Sequence, residues 1–191
     1  MLKDTIIVDI DGCLNHYPDP LKMWAEVFLN LDQAESRQAI EKKNDFELLK
    51  KTYRQSNILK YLLPKGGTKE VLGDFKKNGY FITLLTLRNP NKNPQIKTIT
   101  ENWLHKYNIP YDSIVYTKDK NAYIKKNESK VIMVVEDESE PLNSFKKLKT
   151  EVIVFKNDLN KNIQQPHFHT VSSWKEISSL SKHFMVKRNY E

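Results

Sequence analysis

Short apolar strands alternate with amphipathic helices along most of the chain, and this alternation constrains the fold more than any other feature. The pattern predicts strands at 5–10, 80–86, 113–116, 130–135 and 151–155, each rich in Ile, Val, Leu or Tyr. Between them, apolar residues at helical spacing predict helices within 68–79, 94–108 and 140–149. Buried strands joined by helices form parallel sheets, so the sequence predicts an α/β fold with a doubly wound parallel sheet.

The segment between the first two strands departs from this pattern. Residues 15–63 contain no strand signal and carry two apolar helical stripes, whereas an ordinary connection between a strand and a helix has about 2 to 6 residues. We interpret 15–63 as a small helical cap that is inserted after the first strand and acts as a lid. The core domain then consists of 1–14 and 64–191. The alternative is that these helices simply cover one edge of the sheet.

Length and composition fit a protein with one core domain and no membrane segment. The 191 residues are enough for one sizeable core, and no apolar run approaches the roughly 20 residues that span a bilayer. The N-terminal apolar run ends in acids instead of the small residues of a signal-peptide cleavage site. The single cysteine, Cys13, cannot form an internal disulfide. We therefore expect a cytoplasmic protein.

Basic residues exceed acidic ones, with 31 Lys and Arg against 24 Asp and Glu, and give a formal net charge of +7. The lysines are scattered over several short runs, which is typical of solvated surfaces and not of one binding patch. Such a field still favours anionic ligands such as phosphate esters. The sequence contains no zinc-finger spacing and no recognisable RNA- or DNA-binding motif, so the charge alone does not indicate nucleic-acid binding.

Polar residues stand at the carboxyl ends of three predicted strands. They are Asp9 and Asp11 after the first strand, Thr86 and Arg88 at the second, and Glu136 and Asp137 at the fourth. In a parallel sheet these ends lie along one edge, which is where open α/β sheets bind ligands. An Asp can also cap a helix or form a turn, but the convergence of several polar groups favours a shared site.

Carboxylates so close together repel one another unless a cation neutralises them, and oxygen ligands suit Mg²⁺. The sequence therefore predicts a metal. A lysine after the third strand, Lys118 or Lys120, would add positive charge and hold a phosphoryl oxygen. One carboxylate after the first strand could then attack phosphorus and form an aspartyl-phosphate, while the metal screens the approach of one anion to another.

Four segments, in order along the chain, also resemble a known family. "DIDGCL", "LLTLRN", "TKDKNAY" and "VVEDESE" are similar to the four signature motifs of the haloacid dehalogenase-like (HAD) phosphohydrolase superfamily. Within it, "TKDKNAY" and the short cap resemble the 5'(3')-deoxyribonucleotidase group, and "LRN" and "TENWLHKYN" resemble the phosphatase domain of polynucleotide kinase-phosphatases. The resemblance implies a HAD-like Rossmannoid core and a Mg²⁺-dependent phosphomonoester hydrolase, similar to a 5'-nucleotidase, that acts on a nucleotide or a similar small phosphate ester.

The resemblance also implies roles for the acids. Asp9 would be the nucleophile and a metal ligand. Asp11 would protonate the leaving oxygen and then act as the base for the hydrolytic water, while its backbone carbonyl contacts Mg²⁺. Asp137 would be the third metal ligand of the protein, with Glu136 as the alternative or as a co-ligand through water.

Other residues of the motifs would contact the phosphate. Thr86 would hydrogen-bond a phosphoryl oxygen, and Lys120 matches the family's lysine better than Lys118 because it stands at the start of a predicted helix. Gly12 would permit the tight turn that brings backbone N–H groups near the phosphate. Arg88 follows the strand end by two residues, and we interpret it as a phosphate or substrate contact.

The sequence departs from the deoxyribonucleotidase pattern at two motifs. That group tends to carry Thr-Ser after the second strand and two Asp at the fourth motif, whereas this chain has Leu87 after Thr86 and Glu136 before Asp137. These differences keep the residues needed for the phosphatase chemistry, but they leave the substrate specificity undetermined. The alternatives are a polynucleotide 3'-end phosphatase, suggested by the lysine excess and Arg88, and a catalytically silent module that binds phosphate or a partner.

Overall fold

Strands and helices alternate in the computed structural model, which describes residues 4–17, 19–28, 51–53, 58–157 and 160–188. The strands are β1 (Thr5–Val8), β2 (Phe81–Thr86), β3 (Ser113–Tyr116), β4 (Val131–Glu136), β5 (Glu151–Phe155) and β6 (Phe168–Val171). The helices are α1 (Asp19–Phe28), α2 (Thr68–Lys77), α3 (Ile96–Lys106), α4 (Lys120–Asn127), α5 (Ser139–Ser144) and α6 (Trp174–Arg188), with 3₁₀ turns at Ile58–Tyr61 and Phe145–Lys147.

The strands form one sheet in the order β3-β2-β1-β4-β5-β6, and every neighbouring pair is parallel. The chain moves outward from β1 to β3, returns to the centre, and continues on the other side through β4 to β6. The strand order therefore reverses between β1 and β4, and a sheet of this kind has its crevice at the carboxyl ends of those two strands. The predicted α/β class with a doubly wound parallel sheet is confirmed.

The sheet has a hydrophobic layer on each face because successive side chains of a strand point to opposite sides. In β1, Ile6 and Val8 join a cluster with apolar residues of α2, α3 and α6, while Ile7 joins a second cluster with residues of α4 and α5. All three side chains are at most 1% exposed. Full burial of one such side chain stabilises the fold by about 1.5 to 3 kcal/mol, so β1 is anchored from both sides.

The predicted strands agree with the structure to within two residues at each end. The first is shorter than predicted, because Asp9 leaves the ladder after a last backbone bond from its N–H to the carbonyl of Val135 at 2.9 Å. The fourth is shifted and includes Glu136. β6 was not among the five predicted strands; it is an edge strand, and its four residues "FHTV" carry a weak apolar pattern.

Only part of the predicted cap at 15–63 falls within the described residues. There, α1 and the 3₁₀ turn pack against α3 through a third apolar cluster, formed by Leu21, Ala25, Tyr53, Leu59, Leu62, Ile96 and Ile99. The indole N–H of Trp103 in α3 donates to the backbone carbonyl of Leu62 at 2.7 Å. Residues 18, 29–50 and 54–57 lie outside the described residues, so the cap as a whole stays a prediction. None of the described helices combines the length and apolarity that crossing a membrane requires.

Candidate active site

An ion-pair network occupies the carboxyl edge of the sheet beside the crevice. Lys120, the first residue of α4, places its Nζ 2.7 Å from Oδ1 of Asp9 and 2.6 Å from Oε2 of Glu136. These three residues are between 1% and 5% exposed. The other oxygen of Glu136 accepts the backbone N–H groups of Asp137 and Glu138 at 3.1 and 3.0 Å. Glu136 is therefore fully engaged in holding Lys120 and the chain after β4.

Burial dominates the electrostatics of this network. Desolvation raises the pKa of the Asp9 carboxyl to about 8, because it outweighs the attraction of Lys120 and acts together with the repulsion of Glu136 and Asp11. Desolvation alone would lower the pKa of Lys120, but the adjacent carboxylates of Asp9 and Glu136 raise it above its ordinary value. Lys120 is thus a permanent cation, while Asp9 needs further positive charge to be ionised at neutral pH.

A third carboxylate, that of Asp137, lies close to Asp9 and adds to the excess of negative over positive charge in this network. Oxygens of Asp9 and Asp137 and the sulfur of Cys13 all lie within 4.8 Å of one another, and all three residues are buried. Burial, followed by the repulsion of Asp9 and Glu136, raises the pKa of Asp137 well above its ordinary value. Two buried carboxylates that face each other form a hard donor set, so these residues fit a divalent cation such as Mg²⁺.

Cys13 contributes a thiol to the wall of this donor set. Its sulfur lies 4.0 Å from Oδ1 of Asp137, at the limit of a weak S–H···O bond. Burial, with the nearby carboxylates of Asp137 and Asp9, raises the pKa of the Cys13 thiol well above its ordinary value. A buried thiol that stays protonated is a poor nucleophile, which agrees with the interpretation of Cys13 as a small buried residue.

Asp11 belongs to a second ion pair, with a buried arginine. Nε and Nη2 of Arg88 donate to the two oxygens of Asp11 at 3.0 and 2.7 Å, and Nη1 donates to Oγ1 of Thr100 at 2.8 Å. Arg88 is 3% exposed. Burial would lower its pKa, but Asp11 raises it above its ordinary value. The side-chain amide of Asn15 also donates to Oδ1 of Asp11, at 3.1 Å. Asp11 is therefore fixed by both of its oxygens.

Thr86 connects the end of β2 to this second ion pair. Its hydroxyl oxygen accepts the backbone N–H of Arg88 at 3.1 Å, and its carbonyl accepts the N–H of Thr117 after β3 at 3.0 Å. The side chain is buried, at 1% exposure. Thr86 thus fixes the turn that sends Arg88 back toward Asp11.

Solved structures with the same architecture were found, although the chain matches no protein-family model and no curated protein sequence. A predicted phosphatase from Clostridium acetobutylicum aligns over 96% of this chain and 100% of its own, with a TM-score of 0.61 and 14% identity. CbbY from Rhodobacter sphaeroides in complex with phosphate aligns over 92% and 96%, with a TM-score of 0.60 and 14% identity. A haloacid dehalogenase-like hydrolase from Streptococcus pneumoniae aligns over 94% and 98%, with a TM-score of 0.60 and 10% identity.

The chain has the HAD-like fold. The architecture extends over nearly the whole length of these proteins, and the carboxyl edge of the sheet in this chain carries the buried network described above. The broad resemblance of the sequence motifs to HAD phosphohydrolases therefore agrees with the architecture, while the likeness to the deoxyribonucleotidase group has no counterpart among these similarities.

Within this HAD-like fold, the residues singled out from the sequence converge on one place. Direct contacts link Asp9 to Lys120 and Asp11 to Arg88, and place Asp137 beside Asp9. Thr86 and Gly12 join them through the backbone of Arg88 and the carboxylate of Asp137. The two candidate lysines separate clearly, because Lys118 is exposed whereas Lys120 is buried between two carboxylates.

Sequence reasoning missed four residues that organise the candidate site. They are Asn15, Thr100, Asn157 and Asn160. Asn15 is fully buried, and its side-chain oxygen accepts the N–H groups of Gly12 and Tyr17 at 3.2 and 3.0 Å. Asparagine is common in ordinary loops, so only its position three residues after the Asp-Gly pair could have drawn attention to Asn15.

Gly12 gives the first testable prediction. Its φ is +83°, a left-handed conformation that favours glycine, and a Cβ at this position would overlap the carboxylate of Asp137. We expect Gly12→Ala to displace Asp137 and to weaken cation binding at least about tenfold, since changes around metal ligands typically cost 10- to 100-fold in affinity. Titration with Mg²⁺ in a calorimeter measures this affinity.

Gly73→Ala is the matched control, because Gly73 lies within α2 and a Cβ there meets open space. We expect this variant to bind Mg²⁺ like the wild type and to be slightly stabilised by the better helix propensity of Ala. Unchanged Mg²⁺ affinity in folded Gly12→Ala would show that Asp137 can move aside without harm to the site.

Proposed function

We propose that this protein is a Mg²⁺-dependent phosphomonoester hydrolase that acts through an aspartyl-phosphate on Asp9. One observation carries the proposal: Asp9, Lys120 and Asp137 meet in a buried cluster at the carboxyl edge of a HAD-like sheet, with Asp11 two residues from Asp9. A buried carboxylate whose pKa is strongly perturbed by burial and by charged neighbours is typical of a catalytic group. The similar structures support the same class, since one is a predicted phosphatase and another holds phosphate.

The first step needs Asp9 as an ionised nucleophile. Lys120 supports that form, because its ammonium lies 2.7 Å from Oδ1 of Asp9. Asp9, the backbone carbonyl of Asp11 and Asp137 would hold Mg²⁺, which when bound neutralises the carboxylates and screens the approach of an anionic substrate. Asp9 then attacks phosphorus, the bond to the leaving oxygen breaks, and the phosphoryl group is carried on the Asp9 carboxylate until water releases it.

Asp11 serves as the acid and then the base. Arg88 holds both oxygens of Asp11, which favours the ionised form that accepts a proton from the hydrolytic water. We propose that an incoming phosphate dianion competes with Asp11 for this guanidinium. That competition frees one oxygen of Asp11, which takes up a proton from solvent and donates it to the leaving oxygen, and the carboxylate so restored later accepts the proton of the hydrolytic water. In this proposal Arg88 pairs with Asp11 before substrate binds, as observed, and contacts the phosphate once substrate is bound.

Thr86, Lys120 and the turn at Gly12 would bind the phosphate. The hydroxyl of Thr86 at the end of β2 and the ammonium of Lys120 at the start of α4 would supply donors, and the left-handed turn at Gly12 lets backbone N–H groups come close to an anion. These donors are fixed before substrate arrives, which is the arrangement that stabilises charge on a transferring phosphoryl group.

A nucleotide or a similar small phosphate ester is the substrate class that we propose, on the basis of the resemblance of the motifs to deoxyribonucleotidases. The alternative of a polynucleotide 3'-end phosphatase depended on the lysine excess and on Arg88. Because Arg88 is 3% exposed and paired with Asp11, it is not a surface contact for a nucleic-acid backbone. The charge of +7 and the resemblance of "LRN" and "TENWLHKYN" to polynucleotide kinase-phosphatases are the support that is left for that alternative.

Release of inorganic phosphate tests the proposal. The panel contains deoxyribonucleotides, ribonucleotides, sugar phosphates and 3'-phosphorylated oligonucleotides, each assayed with Mg²⁺ and with EDTA. We expect release from a mononucleotide or another small ester that depends on Mg²⁺ and is lost in EDTA. Preference for the oligonucleotides, with affinity that falls steeply as salt rises, would favour the end-processing alternative. Binding of Mg²⁺ and phosphate without release from any member would favour the catalytically silent module.

A further inference from the structure

The loop after β5 holds Asp137 through two asparagines that the proposed reaction does not use. The side-chain amide of Asn157 donates to the carbonyl of Asp137 at 3.1 Å and to its Oδ2 at 3.3 Å. The side-chain amide of Asn160 donates to the same carbonyl at 2.8 Å and to the carbonyl of Phe155 at 2.7 Å. Both the backbone and the carboxylate of Asp137 are thereby attached to the end of β5.

The two asparagines also hold each other. The N–H of Asn157 donates to Oδ1 of Asn160 at 3.0 Å, and the N–H of Asn160 donates to Oδ1 of Asn157 at 3.1 Å. Each side chain therefore uses its oxygen for the other asparagine and its nitrogen for Asp137. Asn160 is 2% exposed, and its side chain forms three hydrogen bonds, with Asp137, Phe155 and Asn157, in place of bonds to water. This clamp, Asn157 with Asn160, has little freedom to rearrange.

The clamp divides the two oxygens of Asp137 between different neighbours. Oδ2 accepts from Asn157 and lies where a Cβ of residue 12 would be, whereas Oδ1 faces the sulfur of Cys13 at 4.0 Å. Asp9 lies across the same small space and repels Asp137, since both carboxylates are buried. Without the clamp, the Asp137 side chain would relieve this repulsion by turning away from Asp9, and the donor set would open.

We infer that Asn157 and Asn160 are positioning residues that set the affinity of the cation site by holding Asp137 against Asp9. The inference rests on the proposed function, because it concerns the cation that the hydrolysis requires. Outer-sphere partners that fix a ligand typically change metal affinity by 10- to 100-fold when they are removed. The clamp brings the carboxylates of Asp9 and Asp137 together when the chain folds. The free energy of their repulsion is therefore not subtracted from the binding free energy of the cation.

Asn157→Ala tests the inference, with Asn93→Ala as the matched control. Asn93 also holds a loop N–H, that of Gln95 at 3.1 Å, but in the connection before α3. We expect Asn157→Ala to bind Mg²⁺, and Mn²⁺ as a spectroscopic probe, about 10- to 100-fold more weakly than the wild type. Asn93→Ala should bind both ions like the wild type. Calorimetry and electron paramagnetic resonance measure these affinities without any substrate.

Asn157→Ser is the second variant, in case Asn157→Ala fails to fold. A serine hydroxyl can still accept the N–H of Asn160, but it is too short to reach the carboxylate of Asp137, so we expect the same loss of affinity. In phosphate release, the positioning role predicts that more Mg²⁺ is needed for half-maximal rate while the rate at saturating Mg²⁺ is nearly restored.

The outcomes separate this inference from the proposed hydrolysis. Wild-type Mg²⁺ affinity in either folded Asn157 variant overturns the positioning role, whatever the activity. A loss of thermal stability in EDTA without a loss of Mg²⁺ affinity also overturns it, because that result shows a purely structural role. If the wild type binds Mg²⁺ but releases no phosphate from any substrate, the hydrolysis is wrong and the comparison of affinities still decides the role of the clamp.

Discussion

Replacing Lys120 with Met should abolish phosphate release and also destabilise the folded protein. The ammonium of Lys120 is the cation that lies between Asp9 and Glu136, at 2.7 and 2.6 Å, and its side chain is 2% exposed. Methionine fills a similar volume but leaves buried carboxylates without their partner. Removing one member of a buried ion pair typically costs about 3 to 5 kcal/mol of unfolding free energy. For a chain of this size that corresponds to a loss of roughly 6 to 20 °C in melting temperature.

Lys118→Met is the matched control, since Lys118 is two residues away and exposed. We expect it to change the melting temperature by less than about 2 °C and to keep wild-type phosphate release, because exposed charges contribute little to stability. Calorimetric scans in EDTA and in Mg²⁺ measure the two variants side by side. Equal losses of activity would mean that both lysines serve the phosphate, and equal melting temperatures would show that the network of Asp9 and Glu136 does not need its lysine.

The sequence predicted the central sheet well because that sheet is encoded locally. Each inner strand is a short run of β-branched or aliphatic residues, such as the "IIV" of β1 and the "VIMVV" of β4. Short apolar runs of this kind are typical of strands that are buried on both faces of a sheet. The edge strand β6 has one fully buried residue, Val171, so its composition carried no comparable signal. Topology then followed from the rule that strands joined by helices are parallel and that their carboxyl ends meet.

The acids of the candidate site were predictable because a charged residue at the end of a buried strand is unusual, whereas Lys120 was preferred to Lys118 from the family resemblance and its place at the start of a predicted helix. The partners of these groups were not predictable. Arg88 was interpreted as a phosphate contact, but its pairing with Asp11 depends on how the loop after β2 turns. The contacts of Asn157 and Asn160 with Asp137 bridge about 20 residues of sequence and follow from the packing of β5 beside β4. Such contacts depend on tertiary geometry, which single-residue patterns do not contain.

Asp9→Asn should have opposite effects on activity and on stability. The variant keeps the shape of the side chain and an oxygen that can accept from Lys120, but an amide cannot serve as the nucleophile. We expect phosphate release to fall by a factor on the order of 10⁴ or more, as when a covalent nucleophile is lost. In EDTA at neutral pH, the folded variant should be more stable than the wild type, because Asp9 must take up a proton when the chain folds, whereas the amide of Asn does not.

The dependence of stability on pH tests the same explanation. Burial raises the pKa of Asp9 from 3.8 to about 8, so its stabilising protonated form is fully present below pH about 4 and is lost as the pH rises through about 8. In EDTA the melting temperature of the wild type should therefore decline over this range, and the raised pKa of Asp137 acts in the same direction. The melting temperature of Asp9→Asn should decline less over the same range of pH. The exposed substitution Asp74→Asn, whose partner is Lys77 on the surface of α2, should follow the wild type.

Excess Mg²⁺ should remove the advantage in melting temperature that Asp9→Asn has over the wild type in EDTA. A cation that binds the folded state alone stabilises it in proportion to its affinity, and Asp9 supplies one of its charged ligands. At pH about 8 we expect Mg²⁺ to raise the melting temperature of the wild type more than that of Asp9→Asn, so that the variant loses its advantage. If the melting temperatures of the two proteins changed in parallel with pH in EDTA and rose equally with Mg²⁺, Asp9 would have neither a raised pKa nor a role as a cation ligand. The aspartyl-phosphate mechanism would then have no basis in this cluster.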